Sequence, residues 1–238
     1  MIQAPAVKTP LVLVPGLLCD ALLWQFQIPG LCAVADCWVA DPTRSATMQG
    51  VAAGILAAAP FQRFALAGLS MGGYVALEIM RQAPARVSRL ALLDTSARPD
   101  TAEQSERRGA FIDLAERGRF MSVTDALLPM LVHSSRTGEA GLVATIKSMA
   151  RNVGKDAFAR QQRAIISRAD SRAILQDIAC PTLVLCGRQD ALTPLERHEE
   201  IADAIPGARL EVVGDCGHLS TLERPDEVNR AMGCWLAS

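Results

Sequence analysis

The segment Gly68-Leu69-Ser70-Met71-Gly72 constrains the fold of this chain more than any other. An apolar run at 64–69 precedes the serine and predicts a buried strand, while 72–82 has the apolar spacing of a helix. A strand that turns directly into a helix leaves little room for side chains beside the serine, which explains the two flanking glycines. The turn is expected to hold Ser70 in a strained conformation, with its hydroxyl above the sheet at the start of a helix. The pattern therefore predicts a nucleophilic serine.

Apolar strands and helices alternate along both ends of the chain. Strands are predicted at 11–14, 38–40, 64–69, 87–93, 182–186 and 209–213, and helices at 47–59, 72–82, 194–204 and 225–236. Continuous apolar strands separated by helices predict an α/β architecture, with a mostly parallel sheet covered by helices on both faces. Half of the 238 residues are hydrophobic, so the chain can bury one such core.

Residues 101–172 interrupt this alternation. The helical patterns at 103–117, 123–132, 141–151 and 156–167 follow one another without a strand between them. We therefore predict a single domain, with an α/β core at 1–100 and 173–238 and an inserted helical cap at 101–172 that sits over the sheet as a lid. An ordinary helical layer against one face of the sheet is the alternative.

A serine nucleophile needs a general base, and the chain has three histidines. His133 lies in the helical stretch beside two serines, and His198 lies in a charged run, so both are expected to be solvated or satisfied structural residues. His218 instead ends the glycine-containing loop 214–218, between the last predicted strand and the last helix. A histidine at the carboxyl end of a late strand can reach a serine on a central strand, so His218 is the candidate base.

Three aspartates compete to orient that imidazole and fix its tautomer. Asp190 follows the strand 182–186 through Gly187-Arg188-Gln189 and is the favoured acid. Asp94 follows the strand 87–93 and could also reach the histidine. Asp215 is only three residues before His218 and is expected to shape the loop.

Acyl transfer also needs hydrogen-bond donors aimed at the developing oxyanion. The backbone N–H of Met71, next to the serine, is one candidate. The second is the backbone N–H of Leu17, in the segment Pro15-Gly16-Leu17-Leu18 that follows the first strand, where Gly16 allows a close approach of the backbone. A turn that merely ends the strand is the alternative for this segment.

Apolar side chains near these loops are candidates for an acyl pocket. They are Leu17, Leu18, Trp24 and Met71, with Met130 and Leu131 from the cap. For the two cap positions a core role is the favoured interpretation, and a pocket role is the alternative. No cluster of arginines in the sequence indicates a carboxylate or CoA substrate, so the predicted partner is a small-molecule acyl substrate.

Charge and cysteine content exclude other classes of protein. The net charge is −1, from 24 basic and 25 acidic residues spread along the chain, so nucleic acid is not an expected partner. Apolar runs are of strand length, so no membrane contact is expected, and the N-terminus lacks the pattern of a signal peptide. Seven cysteines form no CxxC pair, and this odd number indicates reduced thiols and a cytoplasmic location.

Four motifs in this order resemble the α/β-hydrolase superfamily: Pro-Gly-Leu-Leu-Cys-Asp followed by Trp24, Gly-Leu-Ser-Met-Gly-Gly, Pro-Thr-Leu-Val-Leu-Cys-Gly-Arg-Gln-Asp190, and Gly-Asp-Cys-Gly-His218. The similarity is greatest to small bacterial carboxylesterases and 3-oxoadipate enol-lactonases, and it covers essentially the whole chain. The resemblance implies an α/β-hydrolase fold with an eight-stranded, mostly parallel sheet, a helical cap, a triad in the order Ser70, Asp190, His218, and no cofactor or metal. Many relatives have His-Gly where this chain has Pro15-Gly16, so the hydrogen bonding of that loop is expected to differ.

Three functions are compatible with these motifs. The first is a serine esterase that cleaves a small or medium acyl ester through an acyl-enzyme, as a monomer or small homo-oligomer. The second is a lactonase or C–C bond hydrolase with the same triad, and the third is a ligand-binding receptor that retains the triad without turnover. A serine at position 70 argues against the aspartate-nucleophile branches, the haloalkane dehalogenases and epoxide hydrolases.

Overall fold

The computed structural model describes residues 8–238, and a parallel sheet runs through them. Its strands are β1 (Thr9–Val14), β2 (Ala35–Val39), β3 (Phe64–Leu69), β4 (Val87–Leu93), β5 (Thr182–Gly187) and β6 (Arg209–Val213). The strand order is β2-β1-β3-β4-β5-β6, and every neighbouring pair is parallel. The predicted parallel α/β-hydrolase sheet is therefore confirmed.

The number of strands needs correction. The resemblance implies eight strands, whereas residues 8–238 form six. β1 begins at Thr9, so the described chain has no room for a strand before it, and the apolar residues that follow β6 form helices instead.

Helices connect the strands and cover the sheet. They are α1 (Gln27–Gly30), α2 (Met48–Ala58), α3 (Met71–Gln82), α4 (Ala102–Leu114), α5 (Phe120–Leu131), α6 (Ala140–Ile166), α7 (Arg172–Leu175), α8 (Leu195–Ala204), α9 (Ser220–Glu223) and α10 (Pro225–Ala237). Short 3-10 turns lie at Ala21–Trp24, Pro84–Arg86 and Ser134–Arg136, and a π turn at Ala115–Arg119. The side chain of Thr47 caps α2 by accepting the Gly50 N–H at 3.1 Å.

Both faces of the sheet are buried, as the continuous apolar strands predict. Every residue of β3 and β5 is buried. Because successive side chains of a strand point to opposite faces, Leu11 and Leu13 of β1 join one apolar core, and Val12 and Val14 join the other. The carboxyl ends of all these strands lie at the same edge of the sheet, so the loops that follow them can meet there.

Between β4 and β5 the chain forms helices α4, α5 and α6, which we call the helical insertion. The two helices predicted at 141–151 and 156–167 are the two arms of α6, which bends at Gly154, where φ is 75°. The insertion has a small apolar core of its own, and Leu18 from the loop after β1 packs into it. The division into a core at 1–100 and 173–238 and a cap at 101–172 stays a prediction.

Among residues 8–238, no helix has the length and apolar character needed to cross a membrane. All seven cysteines are free thiols. The predicted absence of a signal peptide concerns the N-terminus, where residues 1–7 lie outside the described range, and the cytoplasmic location also stays a prediction.

Candidate active site

Ser70 occupies a strained turn between β3 and α3. Its φ of 56° and ψ of −116° lie outside the regions that residues with a side chain prefer. Tight packing imposes this turn, because a Cβ on Gly68 would lie 2.1 Å from the Gly72 carbonyl oxygen, and one on Gly72 would lie 2.1 Å from the Val14 carbonyl oxygen. The Ser70 N–H donates to the Leu93 carbonyl at 2.9 Å, which holds the strained residue in place.

The structure brings Ser70, His218 and Asp190 together. The Ser70 Oγ lies 2.8 Å from Nε2 of His218, and Nδ1 of the same ring lies 2.7 Å from Oδ2 of Asp190. Backbone N–H groups at 192 and 193 and the Thr193 hydroxyl donate to the Asp190 carboxylate at 2.7–2.9 Å. With Nδ1–H donated to this acid, Nε2 is left to accept the Ser70 proton. Both the imidazole and the carboxylate are buried.

The charges of this pair shift both pKa values. Burial works to lower the pKa of His218, but the charge and hydrogen bond of Asp190, with the charge of Asp94, outweigh it and raise that pKa above its usual value. Burial works to raise the pKa of Asp190, but the charge and hydrogen bond of His218 and the donors at Thr193 hold it below its usual range. The carboxylate is thus kept ionised beside an imidazole that it makes more basic.

The other two candidate acids do not contact the imidazole within residues 8–238. Asp94 is fully buried, and its carboxylate accepts the Gly187 N–H at 3.0 Å and the Ser220 hydroxyl at 2.5 Å. Burial and the charge of Asp190 raise the pKa of Asp94. Asp215 is exposed, has a φ of 48°, and lies 4.0 Å from Arg224, which fits its predicted role in shaping the loop.

The loop that carries His218 is tied to the helical insertion by the buried carboxylate of Glu223. This side chain accepts the Gly217 N–H at 2.9 Å and the His133 N–H at 2.7 Å. The Leu131 carbonyl, at the end of α5, also accepts the Leu219 N–H at 3.1 Å. We call these contacts the Glu223 clamp. Glu223 is not among the predicted site residues, because its position in the last helical stretch gives no sign of burial.

The two candidate oxyanion amides lie on the loops that flank the Ser70 turn. Gly16 lies against this turn, since a Cβ there would be 3.2 Å from the Leu69 carbonyl oxygen and 3.4 Å from the Ser70 Cβ. The backbone N–H groups of Leu17 and Met71 donate to no acceptor in the part of the chain that the structure describes. Two free donors beside a nucleophile are the arrangement that an oxyanion requires.

Ser70 and His218 open onto a cavity of about 180 Å³. Part of its wall is apolar and comes from the loop after β1 and from the insertion: Leu17, Leu18, Phe111, Leu127, Leu131 and Ile165. The thiol of Cys19 also lines it, but burial and the charge of Asp20 raise the pKa of that thiol to about 12, so it is not a competing nucleophile.

Three predicted pocket residues do not line this cavity in the described structure. Trp24 is fully buried in the apolar core on one face of the sheet, because its large ring packs against the strands. The Met71 side chain is buried in the core on the opposite face. Met130 packs against the small core of the insertion. The prediction of a pocket role for the Trp24 and Met71 side chains is wrong, whereas the favoured core role of Met130 agrees with its packing.

The remaining wall of the cavity is strongly basic. Five arginines line it, namely Arg98, Arg107, Arg108, Arg168 and Arg197. No such cluster is visible in the sequence, because these positions are scattered over a hundred residues and only the fold brings them together.

The other two histidines lie outside the nucleophile's reach. His198 is fully buried, not solvated, and its Nε2 accepts the Thr95 N–H at 2.8 Å. Burial lowers the pKa of His198 to about 4. His133 instead lies 2.8 Å from the Ser135 hydroxyl through its Nδ1. No group of three His, Cys, Asp or Glu side chains in residues 8–238 is placed to hold a metal ion.

Comparisons with known proteins give similarity along nearly the whole chain. Residues 9–225 match the model of the alpha/beta hydrolase fold family. A pimeloyl-[acyl-carrier protein] methyl ester esterase from Aromatoleum aromaticum is 30% identical over 214 residues, 78% of each chain. A 2-hydroxymuconate semialdehyde hydrolase from Pseudomonas putida is 30% identical over 197 residues, 78% of this chain and 66% of the relative. A thermophilic esterase from Thermogutta terrifontis has a solved structure that superposes with a TM-score of 0.89 at 31% identity, over 97% of this chain and 90% of that one.

Proposed function

This chain belongs to the α/β-hydrolase family, and from that premise we propose that it is a serine esterase that cleaves a small or medium acyl ester. One observation carries the proposal. The Ser70 Oγ lies 2.8 Å from Nε2 of His218, and Nδ1 of that ring lies 2.7 Å from a buried carboxylate of Asp190. These are hydrogen-bond distances, and they join a nucleophile to its base and the base to an orienting acid.

In the first step, the Ser70 oxygen attacks the ester carbonyl carbon while Nε2 of His218 takes the hydroxyl proton. The carbonyl oxygen becomes an oxyanion, and the free N–H groups of Leu17 and Met71 bind it. The imidazolium then donates its proton to the alkoxy oxygen, and the bond between that oxygen and the carbonyl carbon breaks. The alcohol departs, and the acyl group stays bound to the Ser70 oxygen.

In the second step, water attacks the acyl-enzyme by the same route in reverse. His218 takes a proton from the water, the oxyanion forms again, and Ser70 leaves with the proton returned from the imidazolium. Asp190 stays ionised throughout, because the donors at Thr193 and the charge of His218 favour its carboxylate form. Both steps use only groups of this chain, the substrate and water.

An ester substrate is supported both by a relative found by sequence and by a similar solved structure. A curated relative at 30% identity and a solved structure at 31% identity are both named esterases. The apolar wall formed by residues such as Leu17 and Leu131 suits a hydrocarbon acyl chain. One relative is named a 2-hydroxymuconate semialdehyde hydrolase, so substrates other than simple esters stay open. Lactones and compounds cleaved at a carbon–carbon bond are the alternatives to test.

The proposal is tested by measuring whether an acyl-enzyme forms when the protein reacts with p-nitrophenyl butyrate. We expect a burst of p-nitrophenol equal to the enzyme concentration, and a fluorophosphonate probe bound covalently to Ser70. Ser70→Ala should lose both, with a fall in kcat on the order of 10⁶. Ser105→Ala, on α4 and outside the cavity, is the matched control and should keep both.

Each alternative function has its own result in this assay. Full turnover by Ser70→Ala would overturn the proposal. A labelled Ser70 with poor ester turnover but rapid opening of a lactone, or cleavage of a diketone, would assign the second class of function. No labelling and no turnover, with a ligand-dependent rise in Tm, would assign a receptor.

A further inference from the structure

We propose that the substrate carries a carboxylate at a distance from the scissile carbonyl, and that Arg107 and Arg197 bind it. The inference rests on the proposed function, because it places a second group of the same substrate in the cavity that holds Ser70. It assigns the substrate class: half-esters of dicarboxylic acids.

The charge of the cavity wall is the first observation. Five arginines line the cavity, while no aspartate or glutamate of residues 8–238 does. Two carboxylates lie behind the arginines, Asp100 and Glu200. The cavity wall therefore carries more positive than negative charge.

Three of the five arginines form ion pairs with carboxylates of the protein. Arg98 forms a two-pronged ion pair with Glu200 at 2.8–2.9 Å. Arg108 and Arg168 share the buried carboxylate of Asp100, at 2.6 and 2.7 Å. The Arg168 guanidinium also lies over the Tyr74 ring, 4.2 Å from its centroid.

The other two arginines have no such role. In the part of the chain that the structure describes, neither Arg107 nor Arg197 forms a salt bridge or donates a side-chain hydrogen bond. Arg107 lies on α4 of the helical insertion, and Arg197 lies on α8, just after the loop that carries Asp190. Two arginines without a salt bridge, the exposed Arg107 and the half-buried Arg197, thus line the same cavity from separate elements.

A carboxylate satisfies this arrangement better than a wholly hydrocarbon acyl chain. A hydrocarbon would strip water from two guanidinium groups and return no hydrogen bonds. A carboxylate matches the fork of N–H donors on arginine and can accept bonds from both residues. The apolar residues Leu17, Leu131 and Ile165 line the same cavity and can contact the methylene chain between the two ends of the substrate.

The experiment compares monomethyl adipate and monomethyl suberate with methyl hexanoate and methyl octanoate, following acid release at pH 7. We expect kcat/KM for the better half-ester to exceed that for the matched neutral ester by at least about tenfold, and this preference to shrink as NaCl is added. In the double variant Arg107→Gln, Arg197→Gln the preference should fall by at least about tenfold. The control Arg163→Gln removes an exposed arginine, paired with Glu116 outside the cavity, and should leave the preference unchanged.

A binding measurement separates this inference from the proposed function. Calorimetric titration of Ser70→Ala with adipate should show binding that the two Arg→Gln substitutions abolish, and 1,6-hexanediol should not bind. Turnover of both ester series without preference, and no adipate binding, would overturn the inference while the esterase proposal stands. Adipate binding without any ester turnover would reject the esterase proposal and keep the carboxylate-binding role of the two arginines. Loss of both would reject the two proposals together.

Discussion

The side-chain carbonyl of Gln161 accepts a hydrogen bond of 3.2 Å from the backbone N–H of Leu18. Gln161 is fully buried on α6 of the helical insertion, and Leu18 has a φ of 61°, a conformation that a leucine rarely adopts. Leu18 directly follows Leu17, whose amide we propose as an oxyanion donor. The insertion therefore positions the loop after β1 as well as covering it.

Replacement of Gln161 by methionine should lower kcat by about tenfold with little change in KM. The Leu18 N–H would lose its acceptor in a buried setting, at a cost of about 1–3 kcal/mol, and the loop would relax away from the oxyanion position. Steady-state kinetics on the ester substrate give kcat and KM separately and so test this expectation. Gln82→Met is the control, because Gln82 lies at the far end of α3 from Ser70, and its kcat should stay the same. An unchanged kcat in Gln161→Met would reject the positioning role.

Replacement of Asp190 by asparagine should lower kcat by on the order of 10⁴ and move the pH profile. Activity needs a neutral His218, so kcat/KM rises as pH increases through the pKa of this imidazole. The charge and hydrogen bond of Asp190 raise that pKa, so their removal should shift the inflection to lower pH. A pH–rate profile from pH 4 to 9 tests both parts, and an inflection that moves upward would contradict them.

Replacement of Asp94 by asparagine should be far milder. The amide oxygen of the new side chain could still accept the Gly187 N–H, and the contact between His218 and Asp190 would remain. A loss of activity as large as that of Asp190→Asn would make Asp94 the orienting acid instead.

The buried His198 should make the folded state less stable in mild acid. Burial lowers its pKa to about 4 in the folded protein, against 6.5 for an ordinary histidine, so the unfolded chain binds more protons between these values. The free energy of unfolding should therefore decrease as pH falls from 7 to 5, with His198 contributing on the order of 2 kcal/mol. Urea unfolding of His198→Gln should lack this component. The surface variant His133→Gln should retain it, and identical pH dependence in the two variants would contradict the assignment.

Alanine should be tolerated at Gly54 but not at Gly68. A Cβ at position 68 would lie 2.1 Å from the backbone oxygen of Gly72, so the Ser70 turn would have to open, and we expect a large fall in Tm with loss of activity. Gly54 lies inside α2 with nothing within 4 Å of an added Cβ. Alanine there should stabilise the protein by about 0.5–1 kcal/mol. A Gly68→Ala protein with normal Tm and activity would show that the turn does not need glycine.

The sequence predicts the central strands well because strong local signals mark them. The strand Phe64–Leu69 is a continuous apolar run between charged residues and a glycine-containing turn, and its bounds match the prediction. Ser70, Asp190 and His218 all follow parallel strands, whose carboxyl ends share one edge of the sheet. Their proximity in the structure follows from that topology.

Side-chain burial and long-range charge clusters were not predictable in the same way. Trp24 and Met71 lie close in sequence to the candidate loops, yet packing against the two faces of the sheet directs both side chains into the core. His198 lies in a charged helix, and only the contact with the distant Thr95 shows that it is buried. The arginines of the cavity come from helices and loops that are adjacent only after folding.

The Glu223 clamp makes the alignment of the base depend on the position of the helical insertion. An outward swing of the insertion at Leu131–His133 would pull the backbone at 217–219 with it and draw the imidazole away from the nucleophile. Engineered replacements of the insertion will keep the base aligned only if they preserve the backbone donor at 133 and the acceptor at 131.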